Sequence, residues 1–360
     1  MWKIDFQVKK HKNQINSVSF NSDSSFVATA SNDETIGLYN PSLEQFSLLT
    51  GHSGRVSDVQ FCPTSPTILA SSSMDNSCFL WNISTGEKIG SFSYHTRPVR
   101  CLCWSDDGKS IISGSHDRTA MIWTADDFST MSILHGIDGW IRDVKWKNNL
   151  IAICGNDSKV LLFDSRISKQ IQTLQSHSAS SLTSLSFHRN GAILASGAFD
   201  QYIRVWDLRM GDLVRKQRAH SDIISDIAFS PVSEDLLSTS YDKTARIWNL
   251  KTNDIVTSFS QHDNAVLGCS WASSGKSFAT VGADRKLCTY FSNGVENVPK
   301  EIRMDGGDLF ASVKRMQEEL ENITKMMKTL DDRLYVQEEK IRMLKDLSYP
   351  ISNAYHKAIH

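Results

Sequence analysis

Between residues 11 and 291, apolar side chains fall in short runs separated by clusters of Gly, Asn, Asp, Ser and Pro. The stretch opening at Gly51-His52 shows the pattern. Val56, Val59 and Phe61, with Asp58 among them, form an alternating strand, and Pro63-Thr64-Ser65-Pro66 is a turn. Ile68-Leu69-Ala70-Ser71 is a second strand, and a turn carrying Asp75 follows it. Cys78-Phe79-Leu80-Trp81 is a third strand, Thr85-Gly86 a turn, and Ile89 to Phe92 a fourth. Short strands of this kind between turn clusters predict an all-β array.

The same unit recurs. An Asp is followed six residues later by a large aromatic, and a His precedes that Asp by 22 or 23 residues, seven times over. The histidines are His11, His52, His95, His135, His177, His220 and His262. The aspartates are Asp33, Asp75, Asp117, Asp157, Asp200, Asp242 and Asp284. The aromatics are Tyr39, Trp81, Trp123, Phe163, Trp206, Trp248 and Tyr290. A four-stranded unit with a period of about 42 residues predicts the blades of a β-propeller. The last unit lacks a good fourth strand after Tyr290, while residues 2–8 form an alternating strand with no blade of their own. The N-terminal strand, residues 3–8, is expected to complete the last blade and remove the exposed edges of an open array.

Gly51-His52, the run Ser115-His116-Asp117-Arg118-Thr119-Ala120-Met121-Ile122-Trp123, and Trp206-Asp207 resemble the WD-repeat β-propeller family over about four fifths of the chain. Three units depart by ending in Trp-Asn or Trp-Thr. The resemblance implies a hydrogen-bonded chain in each blade, from the turn Asp through the His to a Ser or Thr and the Trp. The Ser/Thr places are Thr29, Ser71, Ser113, Ser196, Ser238 and Thr280. Buried His and Asp must be paired, which assigns these residues to structure and not to catalysis or metal binding. Unit four breaks the rule: Ile153 holds the Ser/Thr place, His135 sits six residues before Ile141, and the Lys147-Asn148-Asn149 hairpin is short. These departures put its network in question, and it is expected to be the loosest blade.

Beyond Tyr290 the period changes. Residues 292–307 contain Asn293-Gly294, Pro299 and Gly306-Gly307 and read as a linker, after which Asp308 caps a helix running to about Leu347. Leu309, Val313, Met316, Leu320, Ile323, Met327, Leu330, Leu334, Ile341 and Leu344 recur at alternating spacings of four and three, with Gln337 as the polar member. This is a coiled-coil seam, on the order of 60 Å long, that predicts self-association. Residues 348–360 are a tail.

Net charge is −1 over 360 residues, which gives no electrostatic case for nucleic acid. The seven cysteines lack metal-ligand spacing and fit a reducing compartment, with Cys101 and Cys103 packing on one side of a strand. No apolar leader or membrane-length run is present, so a cytoplasmic protein without membrane contact is expected. His116, His188, His356 and His360 lie outside the repeat and show no partners in sequence. No catalytic set, metal site or phosphate loop departs from the repeating pattern. The expectation is a non-enzymatic protein without cofactor.

Leu330, Arg333, Leu334, Glu339, Lys340 and Ile341 follow the form Leu-x-x-Arg-Leu, an acidic residue, Lys and an aliphatic. Behind seven repeats, this resembles the C-terminal coiled coil of the proteome-of-centriole WD-repeat proteins, with a shorter linker. That resemblance implies a scaffold of centrioles and basal bodies that supports the microtubule wall. Its partners would be centriolar components, tubulin and microtubules among the candidates. The family pattern places Arg55, Met74, Trp140, Phe199, Ile223 and Tyr241 on the top face around the channel, as a protein-binding surface. An alternative is a substrate receptor of a cullin-type ubiquitin ligase, because Trp206-Asp207-Leu208-Arg209 resembles that class's docking signature, with Arg209 as the docking residue.

Overall fold

The computed structural model describes residues 2–40, 45–175, 180–252 and 254–292. Within them, 28 strands, β1 to β28 in chain order, form seven four-stranded antiparallel sheets. Each sheet is one blade of the predicted propeller. The innermost strands are β2 (Ile15–Phe20), β6 (Val56–Phe61), β10 (Val99–Trp104), β14 (Ile141–Lys147), β18 (Leu182–Phe187), β22 (Ile224–Phe229) and β26 (Val266–Trp271).

Why these sequences form blades is visible in burial. Inner-strand apolar residues such as Val56, Val59 and Phe61 are buried, and the third strand of the same blade, β8 (Cys78–Asn82), is buried over Cys78 to Trp81. Apolar side chains on facing sheets then interlock. Seven apolar clusters result, each lying between two neighbouring blades. Every inner strand carries a register shift between its first and third residues, for example between Val56 and Asp58. Bulges of this kind add local twist and turn side chains toward the channel.

The ring closes as predicted. β1 (Trp2–Val8) pairs with β28 (Leu287–Ser292), giving the order β1-β28-β27-β26, where β27 spans Ser277–Gly282. Trp2 packs edge-on to Trp271 and Phe278, with centroids 5.6 and 5.0 Å away. Phe6 reaches across the seam to Tyr39 of the first blade, at 4.3 Å.

In each blade the residue after the turn Asp has a left-handed backbone. These are Glu34, Asn76, Arg118, Ser158, Gln201, Lys243 and Arg285, with φ between 60 and 71°. The Asp side chain holds the turn: Asp117 Oδ1 accepts the Thr119 N–H at 2.9 Å, and Ser115 Oγ accepts the Asp117 N–H at 3.1 Å. The linker and the coiled-coil seam fall outside the described residues.

Candidate interaction site at the channel mouth

The repeat network comes first, because it fixes the turns that frame the mouth. In the third blade, His95 Nδ1 lies 2.8 Å from Asp117 and Nε2 lies 2.8 Å from Ser113 Oγ, which accepts the Trp123 indole N–H at 2.8 Å. The second and sixth blades repeat this through His52, Ser71, Asp75 and Trp81, and through His220, Ser238, Asp242 and Trp248. The first and seventh keep the His–Asp and His–Thr links at His11 and His262, with tyrosine at the aromatic place. Burial pushes the His11 and His220 imidazoles below their usual value against the pull of Asp33 and Asp242. Burial opposes ionisation of Asp33 too, but hydrogen bonds from Thr35 and the Lys12 N–H, with His11, hold it down to about 2.

The fourth blade lacks the network. His135 is exposed, and among the described residues no hydrogen bond joins it to Asp157. Ile137 and Ile153 are buried together in the cluster between the third and fourth blades. An apolar pair thus replaces a polar one, a swap that can be nearly neutral when both partners change. In the fifth blade, His177 lies outside the described residues. There the buried Arg204 Nη1 donates to Asp200 at 2.9 Å.

Four of the six residues assigned to the top face converge. Arg55, Met74, Phe199 and Tyr241 line a cavity of about 170 Å³ at the channel mouth. Phe199 and Tyr241 are 38% and 47% exposed, a large apolar area left in water. Trp140 and Ile223 do not line it. Trp140 stacks on His116 of the preceding blade, 4.8 Å away at 16°, and so bridges two blades. Ile223 is half-buried, and its carbonyl accepts the Tyr241 N–H at 3.0 Å. The same cavity is lined by Arg100 and Arg142, which the sequence reading missed. Arg142 lies over the Phe199 ring at 4.8 Å and donates to Asn156 Oδ1 at 2.7 Å. The missed signal was positional: both arginines occupy the second place of an inner strand, where other blades carry Asn16, Ser57, Thr183, Ser225 and Leu267.

Below the mouth, a cavity of about 330 Å³ fills the channel. Its third-place residues stitch blades together. Asp58 accepts from Ser17 Oγ at 2.6 Å and from the Leu102 N–H at 3.1 Å. Asp143 accepts the Leu185 N–H at 2.7 Å. Asp226 accepts from Ser184 Oγ at 2.6 Å and from the Cys269 N–H at 2.9 Å. Lys145 Nζ lies 3.2 Å from Asp143 Oδ1. Burial, despite Lys145, pushes the Asp143 carboxyl up to about 6. Among the described residues no group of three or more His, Cys, Asp or Glu could hold a metal ion. All seven cysteines are free and buried, and burial pushes the Cys103 thiol up to about 11. His188, unpartnered in sequence, places Nε2 3.1 Å from Glu234.

Arg209 sits on the hairpin between third and fourth blade strands, on the face opposite the Asp turns. It is exposed and pairs with Asp207, Nη2 to Oδ2 at 2.6 Å, and Arg166 pairs with Asp164 at the same distance.

Comparison with known proteins agrees with this architecture. The model of the nucleolar protein 10-like N-terminal domain, a β-propeller, matches residues 2–301. The nuclear distribution protein nudF of Aspergillus niger is 28% identical over 257 residues, covering 64% of this chain and 58% of its own. The guanine nucleotide-binding protein subunit beta of Arabidopsis thaliana is 32% identical over 200 residues, or 51% and 53% of the two chains. The APC/C activator protein CDC20 of Saccharomyces cerevisiae is 26% identical over 168 residues, or 46% and 27%. The chain spans about half the length of nudF and of the subunit beta relative, and no enzyme family is indicated. The chain is a WD-repeat β-propeller protein and belongs to the family of the nucleolar protein 10-like N-terminal domain.

Proposed function

We propose that this protein is a non-enzymatic scaffold that binds a protein partner through the mouth of its channel and works at centrioles and basal bodies. The observation that carries the binding surface is the convergence of Arg55, Met74, Phe199 and Tyr241 on one cavity, with two aromatic rings left in water. Aromatic and arginine side chains dominate interface energetics, and a surface loop gains little from them otherwise. The centriolar part rests on the motif at Leu330, Arg333, Leu334, Glu339, Lys340 and Ile341, and on the seam from Val313 to Leu344, which would multiply the propeller by self-association.

Phe199→Ala with Tyr241→Ala is expected to weaken partner capture by about 2 kcal/mol or more while the melting midpoint barely moves. A tagged full chain is expected at centrioles, and a copy lacking residues 308–347 is expected to disperse. The matched family carries a nucleolar name, so the nucleolus is the competing compartment. Nucleolar accumulation would overturn the centriolar part and leave the scaffold reading standing. For the ligase-receptor alternative, the Asp207–Arg209 pair is repeated at Asp164–Arg166, as befits a turn feature. Co-purification with a ligase adaptor, lost on Arg209→Ala, would favour that alternative.

A further inference from the structure

The mouth is not uniform around its rim. One arc, on the second to fourth blades, carries Arg55, Arg100 and Arg142, with exposed Arg97 outside the cavity but within electrostatic reach of His116. The adjoining arc, on the fifth and sixth blades, carries Phe199 and Tyr241, with Arg142 over the Phe199 ring. Arginine ion pairs in the described residues occur at Arg166, Arg189, Arg204, Arg209 and Arg246, and none involves those four. Three exposed carboxylates of the same face have partners elsewhere. Asp138 lies 3.9 Å from Lys159, Asp263 lies 2.8 Å from Lys286, and Asp222 accepts the Ile223 N–H at 2.7 Å. The mutual field of the arginines is felt locally. Burial, then Arg100, pushes the Arg142 guanidinium below its ordinary value, and burial, then Arg100, Arg142 and Arg97, does the same to His116.

Like charges held together, partly desolvated and without a counter-charge, are stabilised by an incoming anion. Guanidinium–carboxylate and guanidinium–phosphate bonds are the strong, charge-assisted kind. A cavity of about 170 Å³ admits one or two side chains, not a folded domain. Below it, Lys145 is already paired with Asp143, and Asp58 and Asp226 line the same space, so the uncompensated positive charge lies at the level of Arg100 and Arg142. Phe199, under Arg142, and Tyr241 on the next blade offer an apolar seat beside it. We propose that the channel mouth binds an extended protein segment in which an anionic side chain, carboxylate or phosphate, meets the Arg100–Arg142 arc and an apolar side chain meets Phe199 and Tyr241. This rests on the reading of the mouth as the binding surface. RNA is the less favoured ligand: the chain carries a net charge of −1 and the cationic arc is confined to one side of one opening.

The test uses the full chain and fluorescence anisotropy with four labelled probes: short peptides alternating glutamate, phosphoserine or lysine with leucine, and a single-stranded oligouridine. Saturable binding of the glutamate or phosphoserine peptide is expected, and whichever binds tighter identifies the anion's source. The lysine peptide should not bind. Arg100→Gln with Arg142→Gln should weaken binding about tenfold or more, because two charged contacts are lost. Arg55→Gln with Arg97→Gln, on exposed side chains that cannot disturb the core, should weaken it less and steepen no salt dependence. Arg209→Gln should leave it unchanged. Failure of both anionic peptides to bind, indifference to both arginine pairs, or preferential oligouridine binding lost in the same variants would each overturn the proposal. If Phe199→Ala with Tyr241→Ala abolishes partner capture while the arginine variants do not, the anionic partner is wrong and the binding face is right. If neither set affects capture, both readings fall.

Discussion

A single proton position organises the first, second, third, sixth and seventh blades. The Asp accepts from His Nδ1–H, so Nε2 is left as an acceptor for the Ser or Thr hydroxyl, whose oxygen then takes the indole N–H. Ser113 is fully buried, so nothing else can replace its two bonds to His95 and Trp123. Ser113→Ala leaves both partners unsatisfied and is expected to cost about 2 kcal/mol in urea denaturation. The acid limb of stability follows from the same chain. His11 and His220 have folded values below the usual 6.5, so the unfolded chain takes their protons first and stability falls once pH drops below about 6.5. Asp33, held at about 2 against a usual 3.8, adds stability that is full above about pH 4 and is lost as pH falls toward 2. The melting midpoint should therefore decline in two stages on acidification. A midpoint flat from neutral to about pH 5 would mean that folding leaves the imidazoles at their unfolded proton affinity.

Elements were legible wherever one side chain type served one purpose in every unit. The His, Asp and aromatic places gave the strand count, and the orphan strand at residues 2–8 gave the closure. What escaped was information spread across units instead of along them. Asp58, Asp143 and Asp226 share the third place of inner strands in alternate blades, and each reaches the next blade's backbone. Read one unit at a time, each is a polar residue in a strand. Arg100 and Arg142 were missed for the same reason, since their meaning lies in being neighbours on the ring. Trp140 and Ile223 went the other way: sequence placed them at the rim by analogy of position, but Trp140 stacks on His116 and half-buried Ile223 stays out of the cavity lining. The channel suggests a direct test. Lys145 faces Asp143 in an enclosed space, and Lys145→Met would leave that carboxylate buried without a cation, at a cost of about 3 kcal/mol near neutral pH. The sign reverses the repeat network's. Asp143 is raised, to about 6, and loss of Lys145 raises it further, so the folded variant binds more protons than the unfolded chain across that window. Its deficit against the parent should shrink by about pH 5; a deficit that is constant with pH would mean that Lys145 acts only through packing.

At the scale of the whole ring, six junctions between blades are made by chain that runs on from one blade to the next, whereas the last blade is finished by the other end of the chain. β1 supplies that blade's outer strand, and its side chains reach both directions: Trp2 covers Trp271 and Phe278 within the blade, and Phe6 covers Tyr39 in the first. Removing residues 2–8 strips the last blade of a strand and bares the hydrogen-bonding edge of β28 over its pairing from Leu287 to Ser292. It also exposes the apolar cluster shared by the first and seventh blades, against which Phe6 and Val8 pack. Losing two half-buried aromatic side chains costs about 1.5 kcal/mol each, which with the lost strand pairing lowers the melting midpoint by about 5 °C or more. A bare edge also pairs with whatever strand is offered, so the truncated chain should aggregate as its concentration rises. The same logic makes the defect repairable. A synthetic peptide of residues 1–10, added in trans, should restore the midpoint and suppress aggregation, whereas the same peptide with Trp2→Ala and Phe6→Ala should not, because it keeps the backbone bonds and loses the packing. A truncated chain that melts as the parent does would show that the ring is held by its seven inter-blade clusters alone and that β1 only lies along it.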